Sequence, residues 1–295
     1  MKALWSSAPG LFFVTGGLLG LTLPLGKLAG QAGVPPTVWA LTISLGAGAI
    51  LALARLLTGH CSAPGGTEWR FYLVAGLISY ALPNLLMFSV MPHVGAGFTG
   101  LFFTLSPVAT LTLAVLLRVQ RTSRLGVIGI AIGFLGAVVV SATRGQLGAP
   151  AGLAWIALGM LVPLFLAAGN IYRTVAWPPG GHPVALAAGS HLAAAAMLGV
   201  LLLLTGETGA VATLAAIPGI ALTQAVAAAA TFAVFFRLQA VGGPVYLSQI
   251  GYVAAAVGLV SGVAFLGERY GLATWTGAGL ICLGVALATR AQARG

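Results

Sequence analysis

Residues 94–140 read VGAGFTGLFFTLSPVATLTLAVLLRVQRTSRLGVIGIAIGFLGAVVV, with two apolar runs on either side of the basic joint RVQRTSR at 118–124. Each run is close to the ~20 apolar residues that an α-helix needs to cross a bilayer. The chain continues in both directions in the same way, with short joints that contain charges, glycine or proline. This pattern predicts ten membrane-spanning helices, at 9–28, 37–57, 69–90, 95–117, 125–142, 152–175, 183–204, 217–239, 244–266 and 271–289.

The composition also indicates a membrane protein. Of the 295 residues, 59% are hydrophobic and only 5% are charged, whereas a soluble globular chain carries about 25% charged residues. So few charges cannot cover a surface that faces water, and we expect the chain to face lipid. Ten spans and their joints use nearly the whole chain, so no separate soluble domain is expected. We interpret the net charge of +10 as charges of the joints rather than as a surface for nucleic acid.

The basic residues predict the orientation, because cytoplasmic joints of membrane proteins are enriched in Lys and Arg. With the N-terminus inside, ten basic residues fall on the inner side and three on the outer side. The inner ones are Lys2, Arg55, Arg70, Arg118, Arg121, Arg124, Arg173, Arg237, Arg290 and Arg294. The outer ones are Lys27, Arg144 and Arg269. We therefore expect both termini in the cytoplasm.

The second half of the chain repeats features of the first. When residues 88–140 are shifted by 148 positions, several of them meet the same residue type. The pairs are Phe88 and Phe236, Gly95 and Gly243, Arg121 and Arg269, Gly129 and Gly277, Leu135 and Leu283, and Gly136 and Gly284. A unit of five spans enters the membrane from the opposite side the second time, so we predict two inverted five-helix repeats, residues 1–146 and 147–295, around a central cavity. A chance likeness between two hydrophobic stretches is the alternative.

Acidic residues are almost missing. The chain has no Asp, and Glu68, Glu207 and Glu268 all lie at predicted span ends. Without a carboxylate at the middle of the membrane, a cation pump or a magnesium-dependent membrane enzyme lacks its essential groups. We find no metal-ligand spacing and no nucleophile signature, and we predict no catalytic residue, no cofactor, no metal and no enzymatic activity. His191, inside the seventh span, is either a proton carrier or a neutral, hydrogen-bonded histidine.

Two stretches resemble the second part of an EamA-type repeat of the drug/metabolite transporter superfamily. They are residues 94–140, quoted above, and GPVYLSQIGYVAAAVGLVSGVAFLGERYGLATWTGAGLICLGVAL at 243–287. GER at 267–269 fits the joint of that repeat, whereas Gln120 stands where the family usually has Glu. VWALTISLGAGA at 38–49 also lacks an arginine that is often found in the family.

Within the superfamily, the chain is most similar to the bacterial aromatic amino acid exporters. The similarity lies in SYALPNLLMFSV at 79–90, in GPVYLSQIGYV at 243–253 and in the overall length. It implies ten helices in the bacterial inner membrane, both termini cytoplasmic, a cavity lined by both halves, and export of amino acids.

A candidate substrate site surrounds Pro83 of the third span, because transporter sites lie near the midplane on interrupted helices and proline removes a helical hydrogen bond. Tyr80, Asn84 and Met87 share one helical face there. The fourth span adds Phe98, Thr99 and Phe102, the sixth adds Asn170, and the ninth adds Tyr246, Ser248, Gln249 and Tyr252. Their neutral polar groups, together with helix-end dipoles, suit a zwitterion with an apolar side chain, with no protein charge required. Packing is the alternative role of each residue.

Together, these features predict a monomeric exporter of neutral, hydrophobic or aromatic amino acids that works by alternating access in the lipid bilayer. Three alternatives remain at this stage. In the first, a transporter of the same fold carries another metabolite or a drug, such as a nucleoside. In the second, the chain is a membrane enzyme that acts on a lipid intermediate. In the third, it forms a channel-like pore. A small molecule and the bilayer are the expected partners, with no nucleic acid.

Overall fold

The computed structural model of the chain describes residues 7–59, 64–94, 96–120, 123–143, 152–254, 256–257 and 271–292, and all their regular secondary structure is helical. In chain order the α-helices are α1 (Ala8–Gly20), α2 (Thr22–Gln31), α3 (Pro36–Leu57), α4 (Gly66–Gly76), α5 (Leu82–Val94), α6 (Ala96–Leu116), α7 (Arg124–Thr143), α8 (Leu153–Gly159), α9 (Leu161–Val175), α10 (Pro183–Leu204), α11 (Pro218–Ser248) and α12 (Leu272–Gln292). A π-helical turn, Leu77–Ala81, joins α4 to α5, and a 3-10 helix, Thr208–Ala216, precedes α11.

The helices have the length and composition of membrane spans. Seven continuous helical stretches of the described residues are apolar and long enough to cross a bilayer, at 20 to 31 residues each. Shorter apolar stretches lie in α6 and α7, at Phe102–Leu116 and Arg124–Val139. Leucines within helices, such as Leu45, Leu164 and Leu283, are about half exposed on the outer faces. Lipid tails tolerate such a surface and water does not, so the prediction of an all-α, multi-pass membrane protein is confirmed.

The third predicted span contains three helical segments, and Pro83 explains why. A proline ring clashes with the carbonyl group four residues earlier, and its nitrogen donates no hydrogen bond. In the π-turn, the N–H of Leu82 donates instead to the carbonyl oxygen of Leu77, five residues earlier. This wider turn accommodates Pro83, and both Ser79 and Tyr80 within it are buried.

The eighth and ninth predicted spans meet inside α11, which breaks at Gly243. Gly243 has φ 72° and ψ 175°, a conformation that glycine adopts freely and other residues rarely do. Pro244 follows, and the residue before a proline avoids the helical conformation. One helix therefore ends at Gly242 and another begins after the break, close to the predicted boundaries at 239 and 244.

α7 and α12 touch through their backbones at glycines. A Cβ atom added to Gly129 would lie 2.8 Å from the carbonyl oxygen of Gly284, and one added to Gly136 would lie 2.6 Å from that of Gly277. The two helices run antiparallel, because one residue number falls as the other rises along the contact. Small residues allow this approach in lipid, where van der Waals packing drives helix association.

α3 and α10 form a second close pair. A Cβ atom added to Gly48 would lie 2.9 Å from the backbone nitrogen of Leu192. α11 packs on α3, α4 packs on α10, α9 packs on α6, and α1 packs on α11. These contacts leave free space at the centre of the bundle, where polar side chains from several helices meet.

Candidate substrate site

The central cavity is lined by helices from both halves of the chain. Its free space, counting the open solvent at the mouth, is about 1080 Å³. α1 to α3, the π-turn, α5 and α6 form one part of the wall, and α9, α11 and residues 250–254 form the other. Half of the lining residues are leucine, isoleucine, methionine or phenylalanine. The polar lining residues are Thr22, Ser79, Tyr80, Asn84, Ser106, Asn170, Arg173 and Ser248.

Arg173 is the one charged residue among the described residues of the lining, and it is only 2% exposed. We expected it to be a joint charge at the inner end of the sixth span. This expectation is wrong for its side chain, which turns from the last turn of α9 into the bundle. The lining of the cavity therefore contains a protein charge, although the sequence reasoning required none.

Three neutral oxygen atoms hold the Arg173 guanidinium. Nη1 donates to Ser79 Oγ, Nη2 donates to Asn170 Oδ1 at 2.6 Å, and Nε donates to Gln239 Oε1 at 3.4 Å. Ser79 is the fourteenth residue of the 28-residue stretch Gly66–His93, so this bond brings the guanidinium to the middle of a span. The three partners are acceptors without charge, so they solvate the arginine without neutralising it.

The amide acceptors are themselves held in place. Asn170 Nδ2 donates to Thr110 Oγ1 at 3.2 Å. Gln239 Nε2 donates to Thr174 Oγ1 at 2.7 Å and to the Asn170 carbonyl oxygen at 3.2 Å. Because their NH₂ groups are used in this way, both amides turn their oxygen atoms toward the guanidinium. The polar network consists of Ser79, Thr110, Asn170, Arg173, Thr174 and Gln239, and it joins the π-turn to α6, α9 and α11.

Aromatic rings surround the same charge. The guanidinium carbon of Arg173 lies 4.9 Å from the ring centroid of Phe235, 5.8 Å from that of Tyr80 and 5.9 Å from that of Phe236. Ring faces attract a cation through their quadrupole.

The described residues bring no carboxylate to this charge. Glu68 accepts the N–H of Gly65 at the start of α4, and Glu207 is exposed before the 3-10 helix. Glu268 lies outside the described residues. The Arg173 charge is therefore stabilised by hydrogen bonds and rings alone within the described part of the chain.

A ring cluster backs the cavity on the side of α10. The ring centroid of His191 lies 4.0 Å from those of both Tyr80 and Phe232. His191 is 0% exposed and does not line the cavity. Within the described part of the chain, neither His191 ring nitrogen nor the Tyr80 hydroxyl has a hydrogen-bond partner. The Tyr80 ring lines the cavity, but its hydroxyl oxygen is buried. Among the described residues, no hydrogen-bonded path for a proton leads from His191.

Five of the predicted site residues line the cavity, namely Tyr80, Asn84, Met87, Asn170 and Ser248. Five are buried but lie outside its lining, namely Thr99, Phe102, Tyr246, Gln249 and Tyr252. Phe98 belongs to α6, and its side chain lies outside the described residues.

The two buried tyrosines of the ninth span contact neighbouring helices instead, whereas the Gln249 amide bonds within its own span. The Tyr252 hydroxyl donates to the carbonyl oxygen of Ile130 in α7 at 3.1 Å. The Tyr246 hydroxyl lies 3.2 Å from Thr289 Oγ1 of α12. Gln249 Nε2 donates to the carbonyl oxygen of Val245, one turn earlier, at 3.3 Å.

Sequence reasoning missed most of the polar network and found only Asn170. A signal for Arg173 was present: it follows Asn170 by three residues and shares its helix face, and it lies inside the predicted span 152–175. An arginine within a span usually has a function. Ser79 and Gln239 gave no comparable signal, because each is a single polar residue in an apolar run.

The arrangement combines one buried positive charge, neutral hydrogen-bonding groups and apolar walls. No group of three or more His, Cys, Asp or Glu side chains suitable for a metal ion occurs within the described ranges. These groups have the chemistry to contact a small molecule that has both a polar and an apolar part.

Comparisons with known proteins agree with this architecture. Residues 8–142 match the model of the EamA-like transporter family. No curated protein matches the chain. A solved structure, described only as the crystal structure of a protein, superposes with a TM-score of 0.70 over 94% of this chain and 98% of its own, at 20% sequence identity. At that identity the likeness shows the fold alone. The match over residues 8–142 covers a little under half of the chain, so it shows a similarity to the EamA-like transporter family over α1 to α7. The apolar helical architecture is that of a multi-pass membrane protein.

Proposed function

We propose that the protein exports neutral, hydrophobic or aromatic amino acids across the bacterial inner membrane by alternating access, as a monomer. One observation carries the proposal: a single central cavity combines apolar walls with polar groups contributed by both halves of the chain. The apolar wall suits the side chain of such an amino acid, and the polar groups suit its charged ends. The cavity forms within one chain, so transport needs no second copy.

Two inverted repeats of five helices, residues 1–146 and 147–295, are part of this proposal. The contacts between glycines support it. Adding 148 to Gly129 and Gly136 gives Gly277 and Gly284, so the two repeats exchange the contacts Gly129–Gly284 and Gly136–Gly277. Such an exchange is expected of helices related by a two-fold axis in the membrane plane. Rocking of one repeat against the other would open the cavity to each side in turn.

The orientation with both termini in the cytoplasm is also proposed, from the excess of basic residues in the joints on one side. Two contacts support the alternation of the spans on which it depends, because each joins two span ends that this arrangement puts on one face. Arg55 Nη1, near the end of α3, lies 3.4 Å from His182 Nδ1, just before α10. The His93 and Trp155 rings, at the end of α5 and in α8, stack at 3.7 Å. An arrangement of ten spans with the N-terminus inside puts the first pair on the cytoplasmic face and the second pair on the outer face.

Tyr80, Asn84, Met87 and Ser248 are the proposed substrate contacts among the predicted residues, and Tyr80 contributes its ring to the cavity wall. Thr99, Phe102, Tyr246, Gln249 and Tyr252 would act one layer further out, by holding the helices that carry the lining. For Phe98 we keep the proposal of a contact from the fourth span.

The test is counterflow in proteoliposomes that contain the purified protein. Vesicles loaded with unlabelled phenylalanine should accumulate labelled phenylalanine transiently, and leucine should compete for it. Nucleosides and cationic drugs, the cargoes of the alternative transporter, serve as further competitors. Counterflow of a nucleoside without that of any amino acid would overturn the proposed cargo, and unsaturable flux without counterflow would indicate a pore.

A further inference from the structure

We propose that Arg173 binds the carboxylate of the substrate, and that the transporter therefore recognises monocarboxylates with an apolar body whether or not they carry an amino group. This inference rests on the proposed function and goes further, because it names the recognised end of the molecule. It also widens the substrate class to deaminated acids and excludes amines.

No carboxylate among the described residues compensates the charge of Arg173. A charge removed from water is costly unless it is paired, and buried arginines are normally paired with carboxylates. Arg173 is 2% exposed and lines the cavity, and the described residues offer it neutral oxygen atoms and aromatic rings only. A bound anion would supply the missing charge.

The Arg173 guanidinium has more N–H donors than its described partners use. A guanidinium carries five N–H groups, and Arg173 uses three of them, toward Ser79, Asn170 and Gln239. The remaining two are one on Nη1 and one on Nη2. A carboxylate accepts two parallel hydrogen bonds from such a pair, and this is the geometry in which arginine binds carboxylates most strongly.

Neighbouring side chains hold the guanidinium of Arg173 in one orientation. Thr110 and Thr174 fix the two amides that accept from the guanidinium, so the fork is already oriented before anything binds. A donor that needs no rearrangement binds its ligand with less loss of entropy. The cation–π contact with Phe235 at 4.9 Å holds the same group from another side.

The described lining of the cavity offers no negative charge to the ammonium group of an amino acid. The polar lining residues other than Arg173 are hydroxyls and amides, namely Thr22, Ser79, Tyr80, Asn84, Ser106, Asn170 and Ser248. They can accept hydrogen bonds from an ammonium group, but they offer it no counter-charge. A cation without a carboxylate would meet the repulsion of Arg173 instead. Selection should therefore act on the carboxylate and tolerate the loss of the ammonium.

The experiment measures binding to the full-length protein in detergent, with three probes that share one phenyl group. 3-Phenylpropionate has the carboxylate alone, phenylalanine has both charged groups, and phenethylamine has the ammonium alone. Thermal stabilisation titrated against each probe gives its affinity. We expect 3-phenylpropionate and phenylalanine to bind with similar affinity, and both to bind at least about tenfold more tightly than phenethylamine. Equal affinity for the amine and the acid, or no stabilisation by the acid, would overturn the inference.

Variants test the assignment to Arg173 itself. Arg173→Gln should lower the affinity for 3-phenylpropionate about tenfold or more. Arg173→Lys should retain part of it, because it keeps the charge and loses the two-pronged geometry. Arg290→Gln removes an exposed charge from the last turn of α12 and should leave binding unchanged. Full affinity for the acid in folded Arg173→Gln would refute the assignment, and if that variant does not fold, the wild-type comparison of acid with amine still decides.

The two proposals fail in different ways. If the acid binds through Arg173 but phenylalanine shows no counterflow, the proposed cargo is wrong and the carboxylate site stands. If phenylalanine shows counterflow that folded Arg173→Gln retains with unchanged KM, the proposed function stands and the carboxylate site is wrong.

Discussion

The side-chain oxygen of Gln120 lies 3.4 Å from the backbone nitrogen of Val245 and accepts its hydrogen bond. Gln120 follows α6, and Val245 is the second residue after the break at Gly243. The first N–H groups of a helix have no partner within the helix, so Gln120 caps the start of the ninth span from the other half of the chain. The resemblance to EamA-type repeats leads to an expectation of Glu at this position, and the amide supplies the same acceptor without a charge.

Removal of this cap should destabilise the protein. Gln120→Ala deletes the acceptor and is expected to cost about 1 kcal/mol, as the loss of a side-chain N-cap does elsewhere. Thermal unfolding in detergent measures the effect. Gln120→Glu keeps an acceptor oxygen and serves as the control, with stability near that of the wild type. A melting temperature of Gln120→Ala equal to that of the wild type would show that the bond contributes nothing.

The contact between α7 and α12 should not tolerate a single methyl group. Gly136→Ala places a Cβ atom 2.6 Å from the carbonyl oxygen of Gly277, so the two backbones must separate, at a cost of about 1–3 kcal/mol. Gly199→Ala in α10 is the matched control, because an added Cβ there meets nothing within 4 Å. We expect a lower melting temperature for the first variant and none of that loss for the second. The same melting temperature for both would contradict the close crossing.

Tyr80 should matter for transport as well as for folding, because its ring is buried, so counterflow is compared at equal amounts of folded protein. Tyr80→Ala removes a ring from the cavity wall, and we expect counterflow of phenylalanine to fall at least about tenfold, as at other hot-spot aromatic residues. Tyr252→Phe is the control, because it removes a hydroxyl that bonds to Ile130 outside the cavity lining. It should lower stability and leave counterflow close to that of the wild type. Normal counterflow by Tyr80→Ala would remove Tyr80 from the site.

Filling the cavity should block transport. Gly251 lines the cavity, and a Cβ atom added to it would meet Phe103 at an ordinary contact distance of 3.5 Å. Gly251→Ala is therefore expected to transport normally. Gly251→Phe would place a ring in the space proposed for the substrate side chain and should abolish counterflow while the protein still reaches the membrane. Transport by Gly251→Phe at the rate of Gly251→Ala would mean that the substrate takes another route.

Reporter fusions test the orientation. A reporter that is active only in the cytoplasm should be active at both chain ends, since ten spans return the chain to its starting side. The same reporter fused after Gln31, at the end of α2, should be inactive, because the first span would carry it outside. Chain ends on opposite sides would overturn both the ten-span arrangement and the inverted repeat.

The sequence predicted the helices well because lipid imposes a strict rule on it. A span must be apolar over about 20 residues, and the joints must carry the charges. Both ends of most spans can therefore be located in the amino-acid sequence. The prediction ended the third span at 90 and the eighth at 239, and the helices continue to Val94 and Gly242. Proline and glycine mark these places, but they do not reveal how far a helix continues in a bundle.

The site was harder to predict, because side-chain direction depends on tertiary packing. Tyr80, Asn84 and Met87 were found together around Pro83, where the disturbed helix itself is the signal. Arg173 was assigned to a joint, because a long side chain near a helix end can turn to the surface or into the bundle. The Arg173 side chain turns into the bundle because Ser79 and Gln239, on two other helical segments, accept its hydrogen bonds there.

The glycine contacts between α7 and α12 also constrain how this protein can diverge in evolution. At this contact the backbone of each helix touches that of the other. A bulkier residue on one helix is therefore tolerated only if the other helix has moved away. The two segments therefore cannot drift as independent sequences, although 148 positions separate them. Substitutions that enlarge one face are expected to arise together with compensating changes on the opposite one, and the segment should change more slowly than the lipid-facing leucines around it.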